Sequence, residues 1–388
     1  MFTRFVASIP PLIADEVWVP DSELSTLCER AVVAITRLDA TAGMLLAPLT
    51  GFLLRNEAQS SSKIEFVEAP QIDLARASLG IRASDNAKST IAAADAIENL
   101  IQAAENQNPA DIGALTTAHA ILMKDDPYET RYAGKIRDVQ NWIRGSDYSP
   151  RNAVHVPPAP ERVEALMTDL QSFCGRRDIP ALAQAALAHA HFESIHPFTD
   201  GNGRIGRALI NAILRHRGLT QTAVIPFASA FAARRDWYFE LVNTYRTGRG
   251  ALFVEFLASS AIIVCQEAEA SARTLGEMPS LWRETVKPRA GSAADSLIDT
   301  LLATPLITVE SVSQRLGISN TAANAGIQKL EEAGVLRSVG RGSRDRAWSA
   351  GDVLDETESL VQRIGEHREQ LLTPNVRAHL AAAGLLGT

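Results

Sequence analysis

The chain has little of several things that would settle its class at once. Cysteine is rare: Cys28, Cys174 and Cys265 are the only three in 388 residues, far apart, odd in number and without a CxxC spacing. Such a set supplies neither a disulfide framework nor a zinc site, and it suits a reducing compartment. Positive charge is also short, with 38 Lys and Arg against 45 Asp and Glu, a net charge of −7. That balance argues against a chain whose main business is coating nucleic acid, while leaving room for one basic subdomain. No long apolar run precedes Pro10 and Pro11, so neither a signal peptide nor a membrane span is expected, and the expected compartment is the cytoplasm. The HExxH spacing of a zinc pair is missing too. His189 and His191 stand two apart in an alanine-rich helical stretch, where they do not share a face, and they read as structural.

The length leaves space for two or three domains. The most informative run is His196-Pro197-Phe198-Thr199-Asp200-Gly201-Asn202-Gly203-Arg204-Ile205-Gly206-Arg207. Gly201 and Gly203 let the backbone bend so that successive N–H groups converge on an anion. The sequence turns helical from about Arg204, with Ile205, Leu209, Ile210, Ile213 and Leu214 on one apolar face. The turn therefore lies at a helix N-terminus, where free N–H groups and the helix dipole favour phosphate. Arg204 and Arg207, three apart, reach the same side of the first turn. Asp200 is a hard oxygen ligand of the kind Mg²⁺ takes beside nucleotide phosphates. His196 precedes a proline, which predicts an extended backbone there and a side chain aimed into the phosphate site. Glu193 reads as a support for this loop.

The run resembles, position for position, the motif His-x-Phe-x-(Asp/Glu)-Gly-Asn-Gly-Arg-x-x-Arg of the Fic family. The resemblance covers most of residues 1–265 and implies a mainly α fold: a Fic-type helical core with a small β-hairpin flap. It also implies transfer of AMP from ATP to a Tyr, Ser or Thr hydroxyl of a protein. His196 would be the base, Asp200 the Mg²⁺ ligand, and the N–H groups of Gly201, Asn202 and Gly203 a phosphate cradle. Arg204 would support the β-phosphate and Arg207 the γ-phosphate, with Ile205 and Gly206 completing the nucleotide site. A general base of this kind is expected to titrate near neutrality. Phosphotransferases of the family carry lysine where this chain has Gly203, which favours nucleotidyl transfer. Arg235-Asp-Trp237-Tyr238-Phe239 resembles the family's Arg-x-x-Tyr-Tyr segment and makes Tyr238 the expected base contact. Ser61-Ser62-Lys63-Ile64-Glu65 resembles the inhibitory pattern (Ser/Thr)-x-x-x-Glu-(Gly/Asn). Phe66 takes the place of its last residue, so the helix end is expected to differ in shape. Ser61 and Glu65 are the inhibitory pair, and Glu65 is expected to hold Arg207. Removal of AMP, or nucleotide sensing by a DNA-binding regulator, are the competing readings.

Punctuation divides the chain into a helical region over 1–110, a catalytic core over 111–275, a linker over 275–293, a C-terminal unit over 291–350 and a helical tail over 351–388. Residues 1–20, with Pro10, Pro11 and Pro20, read as an extended arm. Val139 to Ile143 and Ala153 to Val156 read as the two strands of the flap, a place for an extended target peptide. In the C-terminal unit, two helices joined by Gly317-Ile318-Ser319 and followed by a basic hairpin tip resemble a winged helix-turn-helix. DNA would meet Asn320, Thr321, Asn324 and Gln328 on the third helix and Arg337, Arg341, Arg344 and Arg346 on the wing. Glu331 and Glu332 weaken that case and leave a protein partner nearly as good. The tail is expected to pack on the wing or on a second copy of the chain, which leaves a homodimer open.

Overall fold

A computed structural model describes residues 5–45, 47–146, 148–339 and 346–386. Its helices are α1 (Ser22–Leu45), α2 (Ala47–Ile64), α3 (Gln71–Ser78), α4 (Asp85–Ala104), α5 (Ile112–Met123), α6 (Pro160–Cys174), α7 (Ala181–Ile195) and α8 (Asn202–His216). They continue with α9 (Phe227–Ala233), α10 (Arg235–Arg246), α11 (Gly250–Val286), α12 (Ala293–Leu301), α13 (Val309–Leu316), α14 (Asn320–Glu332), α15 (Gly351–Glu366) and α16 (Pro374–Ala382). The ends follow local chemistry. The Ser84 hydroxyl accepts from Ala87 N–H at the start of α4, and the Asp111 carboxylate from Ala114 N–H at the start of α5. α9 and α10 are separated at Arg234, whose backbone leaves the helical region.

α7 forms the centre. Every residue from Leu182 to Ile195 is buried. Its many alanines let α8, α10, α11 and α6 approach closely, so this helix has no solvent face. α11 is long and apolar enough to cross a membrane, but 72% of that stretch is buried against the other helices. It is the spine of the core. α2 packs on α9 and α4, and so lies against the same body as α7 and α8.

Two expectations need correction. The linker begins only after Val286, because α11 runs straight through Gly276 and Pro279. Leu275, Met278, Trp282 and Val286 repeat at helical spacing and are all buried, and that packing outweighs one lost backbone donor at Pro279. The flap is barely a hairpin: its pairing is the single bridge Ile143–His155, plus Ser146–Ser149 at the tip. Asp147 lies outside the described residues. The tail packs on the wing, where Asp355 pairs with Arg337, and reaches the core as well. Arg363 of α15 binds Glu267 and Ser271 of α11, and Asn56 of α2 donates to the Thr357 carbonyl of α15.

The N-terminal arm is pinned by Asp169, which accepts from Ile13 and Ala14 N–H, and Ser8 N–H donates to Val156 O of the flap. In the C-terminal unit, β1 (Leu306–Thr308), β2 (Leu336–Ser338) and β3 (Ala347–Ala350) form an antiparallel sheet in the order β1-β3-β2. Ile307 faces Trp348 and Arg337 faces Ser349. Gly317, at φ 64°, turns α13 towards α14. Asn320, Thr321 and Gln328 are exposed, whereas Asn324 is half-buried. Arg337 is not a free wing cation, since it makes a two-pronged pair with Asp355 at 2.9 and 3.2 Å. Arg341 and Arg344 lie outside the described residues.

Candidate active site

The loop between α7 and α8 is built by capping. His196 closes α7, its N–H donating to Phe192 O, with φ 52° and ψ 63°. The histidine is therefore left-handed rather than extended as expected. The helix-ending hydrogen bond, with a proline that cannot continue the helix, outweighs the usual pre-proline preference. Arg137, from the flap segment, fixes this end by donating to the carbonyls of His196 (2.8 Å), Val139 (3.1 Å) and Pro158 (2.5 Å).

The turn itself is held from inside. Asn202 Oδ1 accepts from Phe198 N–H and its Nδ2 donates to Phe198 O, both at 2.9 Å. Asn141 Nδ2 donates to the same carbonyl. His119 of α5 stacks flat on Phe198, ring centroids 3.9 Å apart. Gly134 N–H donates to His119 Nδ1, which leaves Nε2–H to donate to Asp200 O at 3.1 Å. Burial pulls the His119 pKa down to about 4, so this brace is neutral. Thr199 donates to Glu129 at 2.6 Å. His119, Asn141, Glu129 and Arg137 had no assigned role in the sequence reading, because each comes from a distant segment and carries no motif.

Gly201, at φ 74°, caps α8, and its N–H is taken by Asp200 Oδ1 at 2.6 Å. The first α8 bond runs from Ile205 N–H to Gly201 O. The N–H groups left for a candidate cradle are thus those of Asn202, Gly203 and Arg204 in the first helical turn, one residue on from the expected set. Asp200 is exposed beside it. One exposed carboxylate next to a phosphate turn fits Mg²⁺, which takes one or two carboxylates together with substrate oxygens.

The two arginines differ. Arg204 is buried, with Nη1 donating to Ser89 at 2.8 Å and Nε unpaired. Arg207, 1% exposed, donates through Nε to Ser61 Oγ (2.8 Å) and through Nη2 to Ser61 O (2.9 Å) and Glu65 Oε1 (2.8 Å). Burial lowers its pKa, but Glu65 and Tyr238 more than offset that and hold it above the usual value. Glu65 also lies over the cradle: a Cβ placed on Gly203 would come within 2.0 Å of Glu65 Oε1. Glycine at 203 is what leaves room for this carboxylate. The α2 end is not unusual in shape. Phe66 adopts the left-handed conformation, at φ 62°, that Gly or Asn takes easily. Arg235 steadies it, lying 4.2 Å over the Phe66 ring and donating to Lys63 O.

Several expected nucleotide contacts move. Tyr238 is 2% exposed and lies beneath Arg207, its hydroxyl 2.9 Å from His189 Nε2 and 3.5 Å from Arg207 Nη1. It positions Arg207 and has no open face for a base. The neighbouring Phe239 is half-buried, with Arg144 of the flap 5.2 Å over its ring. Ile205 is core, and Gly206 serves packing, because a Cβ there would meet Glu193 Oε1 at 2.6 Å. His191 bonds the Tyr245 hydroxyl.

His196 itself departs from the neutral-range base expected. Burial first, then His155, Arg246 and Arg137, pull its pKa down to about 3. Glu193, one turn back, is pushed up to about 7 by burial, against the pull of Arg207.

Comparison with known proteins agrees with the geometry. Residues 109–214 match the Fic/DOC family. A protein adenylyltransferase Fic of Nematostella vectensis is 37% identical over 129 residues, 32% of this chain and 27% of that protein. A probable protein adenylyltransferase of Aquifex aeolicus is 37% identical over 97 residues, 25% of this chain and 30% of that one. The matches thus span about a third or less of these curated relatives. The crystal structure of a Fic family protein from Desulfovibrio desulfuricans aligns over 86% of this chain and 97% of its own, with TM-score 0.57 and 21% identity. A Fic-domain signalling protein from Bacteroides thetaiotaomicron aligns over 62% and 97%, with TM-score 0.50 and 19% identity. Motif, domain match and helical fold coincide on the same residues, and residues 109–214 of the chain carry a Fic domain.

Proposed function

We propose that the chain is a protein adenylyltransferase, moving AMP from ATP to a hydroxyl side chain of a protein, and that Glu65 restrains it. The observation that carries this reading is Arg207, locked by Ser61 at the head of α8 and already holding one carboxylate where a terminal phosphate would sit. ATP phosphates would lie across the N–H groups of Asn202, Gly203 and Arg204, with the γ-phosphate on Arg207. His196 would take the proton of the target hydroxyl at Nε2. The hydroxyl oxygen then bonds to the α-phosphorus, the bond from that phosphorus to the β-bridging oxygen breaks, and pyrophosphate leaves with the electron pair. Asp200 would hold Mg²⁺, which neutralises charge on the phosphates. With Glu65 on Arg207, the γ-phosphate loses its anchor and the α-phosphate its alignment. The relatives named as adenylyltransferases support this reading over the same residues.

Labelled ATP separates the alternatives. Transfer predicts label on protein from the α-phosphate, none from the γ-phosphate, and none with His196→Ala. Loss of label from a premodified protein, dependent on Glu65, favours AMP removal; the overlap of Glu65 with the cradle, where it could hold a water, is the observation behind that second reading. A shifted promoter fragment with no labelling favours a regulator. The C-terminal unit is read as a winged helix-turn-helix that docks DNA or protein. Salt-sensitive DNA binding lost on Arg341→Ala and Arg344→Ala decides for DNA. A cytoplasmic setting completes the reading, and size measurement in solution tests for a homodimer.

A further inference from the structure

The histidine that serves as base lacks an obvious partner on its far side. To accept a proton at Nε2, a neutral imidazole must already carry its proton at Nδ1, so something must hold that N–H. His196 Nδ1 is buried and makes no hydrogen bond. Two acceptors face it, both from Glu193. One is the backbone carbonyl, which Arg246 Nη2 already occupies at 3.0 Å. The other is the side chain, whose Oε2 lies 4.0 Å away. That carboxyl is unsatisfied as well: its Oε1 is buried without a partner, pressed against Gly206, and the residue is 8% exposed. Unpaired buried polar atoms are expensive and uncommon. Here the unpaired Nδ1 faces the other oxygen of the same carboxyl, Oε2, across a gap that a side-chain movement of about 1 Å would close to hydrogen-bonding distance.

We propose that Glu193 is a positioning residue for His196: its carboxylate closes on Nδ1–H, fixes the tautomer with Nε2 free, and stabilises the imidazolium formed when the target hydroxyl gives up its proton. The consequence for rate rests on the transferase reading, whereas the tautomer does not. The surroundings make the carboxylate necessary. His196 faces Arg137 and His155 from the flap segment and Arg246 from α10, and all three oppose a second positive charge. Glu193 faces Arg207 of α8 and Arg246 of α10, which favour its ionised form, and Glu65 of α2, which disfavours it. The Tyr238 hydroxyl nearby is neutral, because burial pushes its pKa up. With burial holding the Glu193 carboxyl near 7, the pair gains its negative charge around neutrality. After transfer, the imidazolium returns its proton to water.

The ionised carboxylate is the active form, so kcat for AMP transfer rises through about pH 7 and then levels. Measured on the Glu65→Gly protein, adding Glu193→Gln is expected to remove that rise. It should also lower kcat by about 10- to 1000-fold while KM for ATP stays within about twofold. In the unsubstituted protein, ¹⁵N-histidine NMR should show His196 as the Nδ1–H tautomer, its shifts moving as the carboxyl titrates. Glu193→Ala should shift it towards Nε2–H. The proposal is overturned if Glu193→Gln keeps the pH rise and a kcat within twofold, or if Glu193→Ala leaves the tautomer unchanged. If the parent transfers nothing at any pH, the transferase reading fails, and the NMR result alone decides the pairing.

Discussion

Replacing Glu65 by glycine should release the site, and the structure sets the size of the gain. The Glu65–Arg207 contact is a 2.8 Å ion pair whose arginine is 1% and whose carboxylate side chain 34% exposed. A charge-assisted bond to a buried group contributes about 1.5–3 kcal/mol, and exposure of one partner pulls that towards about 1 kcal/mol. At about 1.4 kcal/mol per tenfold, freeing Arg207 for the γ-phosphate is worth roughly 5- to 140-fold in transfer rate. Two features keep the variant intact. Arg207 retains both Ser61 contacts, and position 65 follows the last residue of α2, where glycine costs little. Clearing the oxygen from above Gly203 opens the cradle as well. The assay is AMP incorporation from labelled ATP, with purified protein over a range of ATP and Mg²⁺ concentrations. Wild-type and Glu65→Gly proteins that label equally well across that range would refute the reasoning, as would a gain that survives His196→Ala.

Asp200→Ala is expected to abolish Mg²⁺-dependent transfer while leaving the thermal midpoint nearly unchanged, since the residue is exposed and its carboxylate accepts only from the neighbouring Gly201 N–H, the backbone bond to His119 being kept; equal activity in Mg²⁺ contradicts its role. Tyr238→Phe deletes the hydroxyl between His189 and Arg207 in a fully buried setting, so denaturant unfolding should show a loss of about 1–3 kcal/mol. An unchanged midpoint would mean the hydroxyl is not the brace. Glu57, 0% exposed on α2, has its carboxyl pushed up to about 8 by burial, from 4.5. Between those values the unfolded chain gives up a proton that the folded chain keeps, so this residue makes stability fall as pH rises from about 4.5 to about 8. Glu57→Gln should remove that slope and unfold at higher denaturant than wild type at pH 8, by on the order of 1 to a few kcal/mol, with little difference near pH 4.5. Parallel pH profiles for the two proteins would contradict the burial argument.

The sequence announces the loop from His196 to Arg207 because its chemistry is local. Glycine bends, a helix start and charged side chains at short spacing are all readable in order. The position of Glu65 on Arg207 is of another kind. It joins residues 142 apart, so only the family resemblance makes it foreseeable. The supports of the loop are less legible still. His119, Asn141, Glu129 and Arg137 act through hydrogen bonds to backbone groups or to one hydroxyl, and such bonds leave no pattern in a sequence. Tyr238 was misplaced because an aromatic at helical spacing reads the same whether it faces a ligand or underlies an arginine. Gly276 and Pro279 suggested a linker, yet the apolar register through Trp282 carried the helix past them. Local breakers mark an end only where no packing is at stake.

The central claim is that this site breaks the bond between the α-phosphorus and the β-bridging oxygen of ATP and passes AMP to a protein hydroxyl through His196. Product analysis tests it most directly. Glu65→Gly protein, incubated with ATP, Mg²⁺ and a cell extract as the source of targets, is expected to yield one pyrophosphate for each AMP that becomes protein-bound, with both products absent for Glu65→Gly combined with His196→Ala. ADP or inorganic phosphate formed in step with protein modification, or pyrophosphate release undiminished by the loss of His196, would contradict the account.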